Sequence, residues 1–142
     1  MRYLLIYLGL SFFSFLLASD SVGFIKKLKG EAIILRDTKI IQIKIGDKLF
    51  NKDIIKTKRN SSLGLIFKDN TLVSLGSNTQ FNIEEYEFQP ALKKEVFTAR
   101  IVKGTMTCLT GLMSKLNPDA MKIKAKTASM GIRGTHFAIS VE

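Results

Sequence analysis

Apolar and polar residues alternate with a period of two along much of this chain. Ile41, Ile43 and Ile45 alternate with Gln42 and Lys44. Met121, Ile123 and Ala125 alternate with Lys122, Lys124 and Lys126, and Phe137, Ile139 and Val141 with Ala138 and Ser140. A period of two places one set of side chains on each face of a strand. Further strands are expected over 22–28, 31–35, 54–57, 63–67, 71–75, 81–88, 96–102 and 105–109. Gly46-Asp47, Asn51-Lys52-Asp53, 59–62, Gly76-Ser77-Asn78 and Lys103-Gly104 supply turn chemistry between them. Residues 89–95 and 110–118 break the pattern, and each reads as a loop or a single helical turn. Many short strands at close spacing imply an all-β domain, sandwich-like or β-helical in its packing.

The segment 63–75 reads as a hairpin closed by Asp69-Asn70, since both residues tolerate left-handed backbone. A two-residue turn sets Phe67 opposite Leu72 and Ile66 opposite Val73, and it predicts a strand pair buried on both faces. Leu63, Leu65, Phe67, Val73, Phe81, Ile123, Phe137 and Ile139 are the expected core. Near the C-terminal end, Gly131-Ile132-Arg133-Gly134-Thr135 feeds directly into the strand at 137–141. Paired glycines reach positive φ freely, so this run reads as a structural turn. Its site residues are Gly131, Arg133, Gly134 and Thr135, with the planar fork of Arg133 as a hydrogen-bonding clasp. A GxxG run also clamps nucleic-acid backbone in some modules. Here it lacks flanking helices, and no Lys-Ser/Thr follows to make a phosphate loop.

The N-terminus is a different kind of sequence. Arg2 is followed by an apolar run over 3–17, interrupted by Gly9, Ser11 and Ser14 and closed by Ala18-Ser19. This is expected to be a signal helix. Residues 1–19 form a cleaved signal peptide, or alternatively an uncleaved anchor, followed by one β domain over 22–142. The chain would then be periplasmic or otherwise exported. No cysteine ends the run, which disfavours a lipid anchor.

Charge adds a second constraint. The 142 residues contain 22 Lys and Arg against 12 Asp and Glu, a formal net charge of +10. Loss of Arg2 with the leader leaves 21 against 12, or +9. The bases are mostly scattered lysines, which keep sheets soluble and guard their edges. Export removes nucleic acid as an expected partner and leaves an envelope protein or the cell wall. Membrane association is expected only through an uncleaved N-terminal segment. Anionic envelope polymers would be drawn by long-range attraction.

Reaction chemistry is sparse. His136 and Cys108 are the single residues of their types, so no internal disulfide forms and no metal-ligand cluster is expected. Cys108 reads as a buried thiol between Met106 and Leu109. A Cys108–His136 nucleophile–base pair is formally possible, but His136 reads as a half-exposed sheet residue. Glu84, Glu85 and Glu87 read as a solvated face. The expectation is a non-enzymatic chain with no cofactor.

Several fragments, in order, resemble the FecR domain family. Gly46-Asp47, Leu49 and Asp53-Ile54-Ile55-Lys56-Thr57 resemble its opening signature. Phe67-Lys68-Asp69-Asn70-Thr71 resembles its central hairpin, with Asn70 where glycine is usual. Phe81-Asn82-Ile83 and Lys103-Gly104 resemble the following strands, and 123–137 resembles the closing motif. Residues 22–45 fit the variable lead-in. The resemblance implies an all-β module outside the cytoplasmic membrane and transfers no catalytic residue. Namesake regulators relay an outer-membrane signal to a sigma factor. This chain shows no cytoplasmic segment before its apolar run and ends one residue after Val141, so sigma-factor control is not expected to carry over. The reading is a periplasmic interaction or sensory-accessory module. The alternative is a structural envelope protein held to anionic cell-wall or membrane polymers by its basic surface.

Overall fold

The computed structural model describes residues 20–126, 128–131 and 136–142. The expected signal helix, and Arg133, Gly134 and Thr135 of the expected turn, lie outside these residues. Twelve strands are described: β1 (Gly23–Lys29), β2 (Ala32–Arg36), β3 (Lys39–Gln42), β4 (Lys48–Leu49), β5 (Ile54–Thr57), β6 (Ser62–Phe67), β7 (Leu72–Leu75), β8 (Gln80–Gln89), β9 (Lys94–Leu109), β10 (Met121–Ala125), β11 (Ala128–Gly131) and β12 (His136–Val141). Gly131, the first residue of the expected turn, ends β11. One short helix, α1 (Leu112–Leu116), sits between β9 and β10.

The strands form one curled sheet, a half-barrel folded over its own core, and not a β-helix. The principal path runs β3-β2-β5-β8-β9-β7-β6-β1-β4. Its pivot is β9, which is 16 residues long. The first part of β9 pairs with β8 and, in parallel, with β10. Its last residues pair with β7 and β12. The strand therefore belongs to two half-sheets, one built on β2, β5, β8 and β10, the other on β1, β6, β7 and β12. The sequence predicts a strand end at Lys103-Gly104. Gly104 instead keeps the strand going with φ 97°, and a Cβ there would run into Thr79. Glycine lets the backbone bend at a point where any side chain would collide.

Both half-sheets contribute to one core. Ile25, Leu65 and Leu75 from one side meet Ile34, Ile55, Phe81 and Phe97 from the other. The Phe67 ring lies 4.7 Å from Phe97, edge to face, and 5.2 Å from Tyr86 at a tilt of 31°, tying the halves together. Of the expected core, Leu63, Leu65, Phe67, Val73, Phe81 and Ile123 are buried, whereas Phe137 and Ile139 are only partly so. They lie on β12, which has β9 as its one described neighbour. Ile45 also departs from expectation. It is 66% exposed, because the chain leaves β3 at Gln42 and turns through Gly46 toward β4.

The hairpin differs in register. Ile66 faces Leu72 and Leu65 faces Val73. The loop holds three residues, Lys68 to Asn70: the Phe67 N–H donates to the Thr71 carbonyl, and Asn70 takes φ 69°. The added residue moves the alternation by one position. Leu63, Leu65, Phe67, Val73 and Leu75 consequently share the core face, while Gly64, Ile66, Leu72 and Ser74 face outward, so one face is buried and not two. A bulge between Ile83 and Glu85 has a comparable effect in β8, turning Tyr86 into the core.

Candidate interaction surface

Three polar clusters fix the scaffold. The first centres on Asp69, which is fully buried. Its carboxyl group accepts from the Tyr86 hydroxyl at 2.8 Å, the Thr71 hydroxyl at 2.7 Å and the Met113 N–H at 3.1 Å. The Asp69 carbonyl accepts the Leu112 N–H at 2.8 Å, and the Thr71 hydroxyl accepts the Gly111 N–H at 3.1 Å. The hairpin tip thus holds the entrance of α1, whose own backbone donors would otherwise be unpaired. Burial, and then the nearby Asp69 charge, raise the Tyr86 hydroxyl well above the ordinary tyrosine range.

The second cluster is Arg36–Asp53. The guanidinium donates to both oxygens of the buried Asp53, at 2.9 and 2.8 Å, and stacks 4.6 Å from the Phe50 ring centre. The hydrogen bond to Asp53 holds the Arg36 pKa above its usual value despite partial burial. The third is Glu84, bonded to Lys124 at 2.8 Å and Arg100 at 2.9 Å across three neighbouring strands. Its pKa is lowered, chiefly by the Lys124 hydrogen bond, against a smaller opposing effect of burial. Every described buried side-chain nitrogen and oxygen has a partner.

Cys108 and His136 are not brought together. Cys108 is buried opposite Val73 and Phe137, whereas His136 faces solvent opposite Leu109. They occupy opposite faces of the same half-sheet. Burial, with the Asp69 charge adding to it, pushes the Cys108 thiol up to about 12, which suppresses the nucleophilic thiolate. Among the described residues no three His, Cys, Asp or Glu side chains gather as a metal site. No described helix is long and apolar enough to cross a membrane.

What the scaffold does present is two outer faces of different chemistry. On the β1–β6–β7–β9–β12 side, cross-strand register aligns Phe24, Ile66, Leu72, Leu109 and His136 in one row. Phe24 and Leu109 are each 46% exposed. The next row is Lys27, Gly64, Ser74, Thr107 and Ala138. From Gly64 to Ala138 small side chains keep that row low, and the apolar row stands along its border. Neither row contains an acidic residue. On the other half-sheet, Lys56, Arg100, Lys122 and Lys124 face outward with Gln80 and Asn82, and Glu84 is the acid paired among them.

The apolar row escaped sequence reading because it joins non-consecutive strands. Only the β6–β7 step is a hairpin; β7 to β9 and β9 to β12 are pairings set by the whole fold. The Asp69 cluster escaped for a similar reason, since Tyr86 is 17 positions away.

These features define an all-β module with an acid-locked hairpin and an exposed sheet face. The family model described as FecR protein matches residues 53–142, and the chain belongs to that family, one of sensory and regulatory type. The match begins at the buried Asp53 and includes both halves of the Asp69–Tyr86 pair. No curated protein and no solved structure matches the chain.

Proposed function

We propose that this chain is an exported, non-enzymatic binding module acting as a periplasmic interaction or sensory-accessory unit. Its contact surface is the outer face of the β1–β6–β7–β9–β12 half-sheet. The Phe24–Ile66–Leu72–Leu109 row carries the reading. Scattered exposed apolar residues are ordinary, but a contiguous apolar stripe beside a low, small-residue row offers a partner desolvated area and close approach. The absence of acids from both rows, with Lys27 and Lys29 at the β1 border, suits a partner whose rim is acidic.

Site-directed photocrosslinking in intact cells tests this. A crosslinker at Leu109 should give one discrete protein adduct, and one at Lys122 on the opposite half-sheet should not. Equal adducts at both positions, or none at Leu109, would defeat the assignment. Export is tested separately by fractionation and N-terminal sequencing. The expected product lies outside the cytoplasm, beginning near Asp20 or retaining the apolar run as an anchor.

The basic face of the other half-sheet supports a second reading, attachment to anionic cell-wall or membrane polymers. Retention on purified cell wall that is lost with rising salt, and lost in Lys122→Glu/Lys124→Glu, would favour it.

A further inference from the structure

The free sheet edges are not equivalent. β3 has four residues and opens on Lys39, β4 has two residues, and β11 has four. Shortness and lysine are the usual protections against edge-to-edge pairing. β12 is different. It has six residues, contains no lysine, arginine or proline, and pairs only with β9 among the described residues. Its Phe137, Ile139 and Val141 pack against the core yet stay half-exposed, as residues on a strand with one flank uncovered do.

We infer that β12 pairs antiparallel with β12 of a second copy of this chain, about a twofold axis at Ile139. In that register Ile139 faces its own copy, Phe137 faces Val141, Ala138 faces Ser140, and His136 faces Glu142. Apolar residues meet on the core face, small residues on the outer face, and a base meets an acid at each end. The net charge of +10 opposes self-association over most of the surface. The edge that escapes this is the six-residue run without a lysine or arginine. Backbone donors and acceptors of β12 that face water would then be paired across the axis. The outer face stays open and continues from one copy to the next, so the pairing is independent of the partner surface proposed above.

The test uses two full-length chains, one Ala138→Cys and one Ser140→Cys. Both positions are on the exposed outer face, so the fold tolerates them. In the stated register the two cysteines are direct neighbours, with Cα atoms about 4.5–5.5 Å apart, inside disulfide range. Like positions are diagonal, at about 7–8 Å, beyond it. Mild oxidation of the mixture should give the 138–140 heterodisulfide in about tenfold excess over either homodisulfide. Native Cys108 is buried and does not compete. Predominant homodisulfides would overturn the register, and monomer alone would overturn the pairing. As a second arm, Ala138→Lys/Ser140→Lys sets lysine against lysine across the axis. It should sediment as monomer at concentrations where the native chain is dimeric, and melt cooperatively at the temperature the native chain approaches on dilution. Persistence of the dimer in that variant would also overturn the inference.

Discussion

Tyr86 and Asp69 each donate a hydrogen bond to the other. The Tyr86 hydroxyl donates to Asp69 Oδ1 at 2.8 Å and accepts the Asp69 backbone N–H at 2.9 Å. One buried hydroxyl thereby satisfies a carboxyl oxygen and an amide of a hairpin tip that also holds α1. Tyr86→Phe keeps the ring contacts and removes both bonds. It should destabilise by about 1–3 kcal/mol, the cost of leaving buried polar groups unpaired. A urea denaturation midpoint equal to that of the native chain would contradict the role.

Gly46 and Gly104 both have positive φ, at 91° and 97°, in different surroundings. Nothing lies near a Cβ built on Gly46, whereas one on Gly104 runs into Thr79. Gly46→Ala should cost about 1 kcal/mol, from the left-handed backbone alone. Gly104→Ala should cost clearly more, because the bend of β9 must move. Thermal melts of the two variants, compared side by side, give the difference.

Core position also ranks the aromatics. Phe97 is buried and Phe137 half-buried. Phe97→Ala should lose about 3–5 kcal/mol. In dilute, monomeric chain Phe137→Ala should lose roughly half as much, since less of its surface leaves water on folding. At concentrations where β12 is paired with a second copy, the Phe137 loss should rise toward that of Phe97.

Glu84 predicts an acid dependence. Its folded pKa lies below its ordinary value, so the deprotonated form is preferred in the folded state. The resulting stability is fully present above the unfolded pKa and is lost as pH falls through the folded one. Between about pH 6 and pH 3 the native chain should therefore lose more stability than Glu84→Gln. Parallel pH profiles for the two chains would remove Glu84 as a contributor.

Arg36→Lys keeps the charge and loses the two-pronged contact to the buried Asp53. A loss of about 1–2 kcal/mol is expected, moderated because Arg36 itself is partly exposed. Chemical denaturation of this variant beside Arg36→Gln separates geometry from charge.

Local alternation made most strands legible. Residues 54–57, 63–67 and 121–125 lie in strands as read, and Phe81 and Ile83 point inward as expected. The structure departs from the local pattern where one residue changes the count. Asn70 lengthens a turn, a bulge after Ile83 rotates β8, and Gly104 bends a strand without ending it. Single-residue events of this kind are decided by tertiary fit, because the local sequence permits either outcome. The surface was less legible than the core for a related reason. Phe24, Ile66, Leu72 and Leu109 become neighbours only when β9 lies beside β7 and β6 beside β1. The Gly131–Thr135 turn, read as a clasp, lies beyond the described residues apart from Gly131 at the end of β11.

The length of β9 has a consequence in time. Strands β5 and β8, and β6 and β7, are formed from sequence that emerges earlier from the ribosome. Until residue 109 is available, however, no strand pairing joins the two groups. Non-local pairing of this kind makes folding slow and leaves incomplete chains with open sheet edges. A chain halted near residue 93 should be sticky and protease-sensitive, and one reaching β12 should fold in a single cooperative step. Under the export proposed above, such lateness is an advantage, because the last strands act as the trigger that commits the rest.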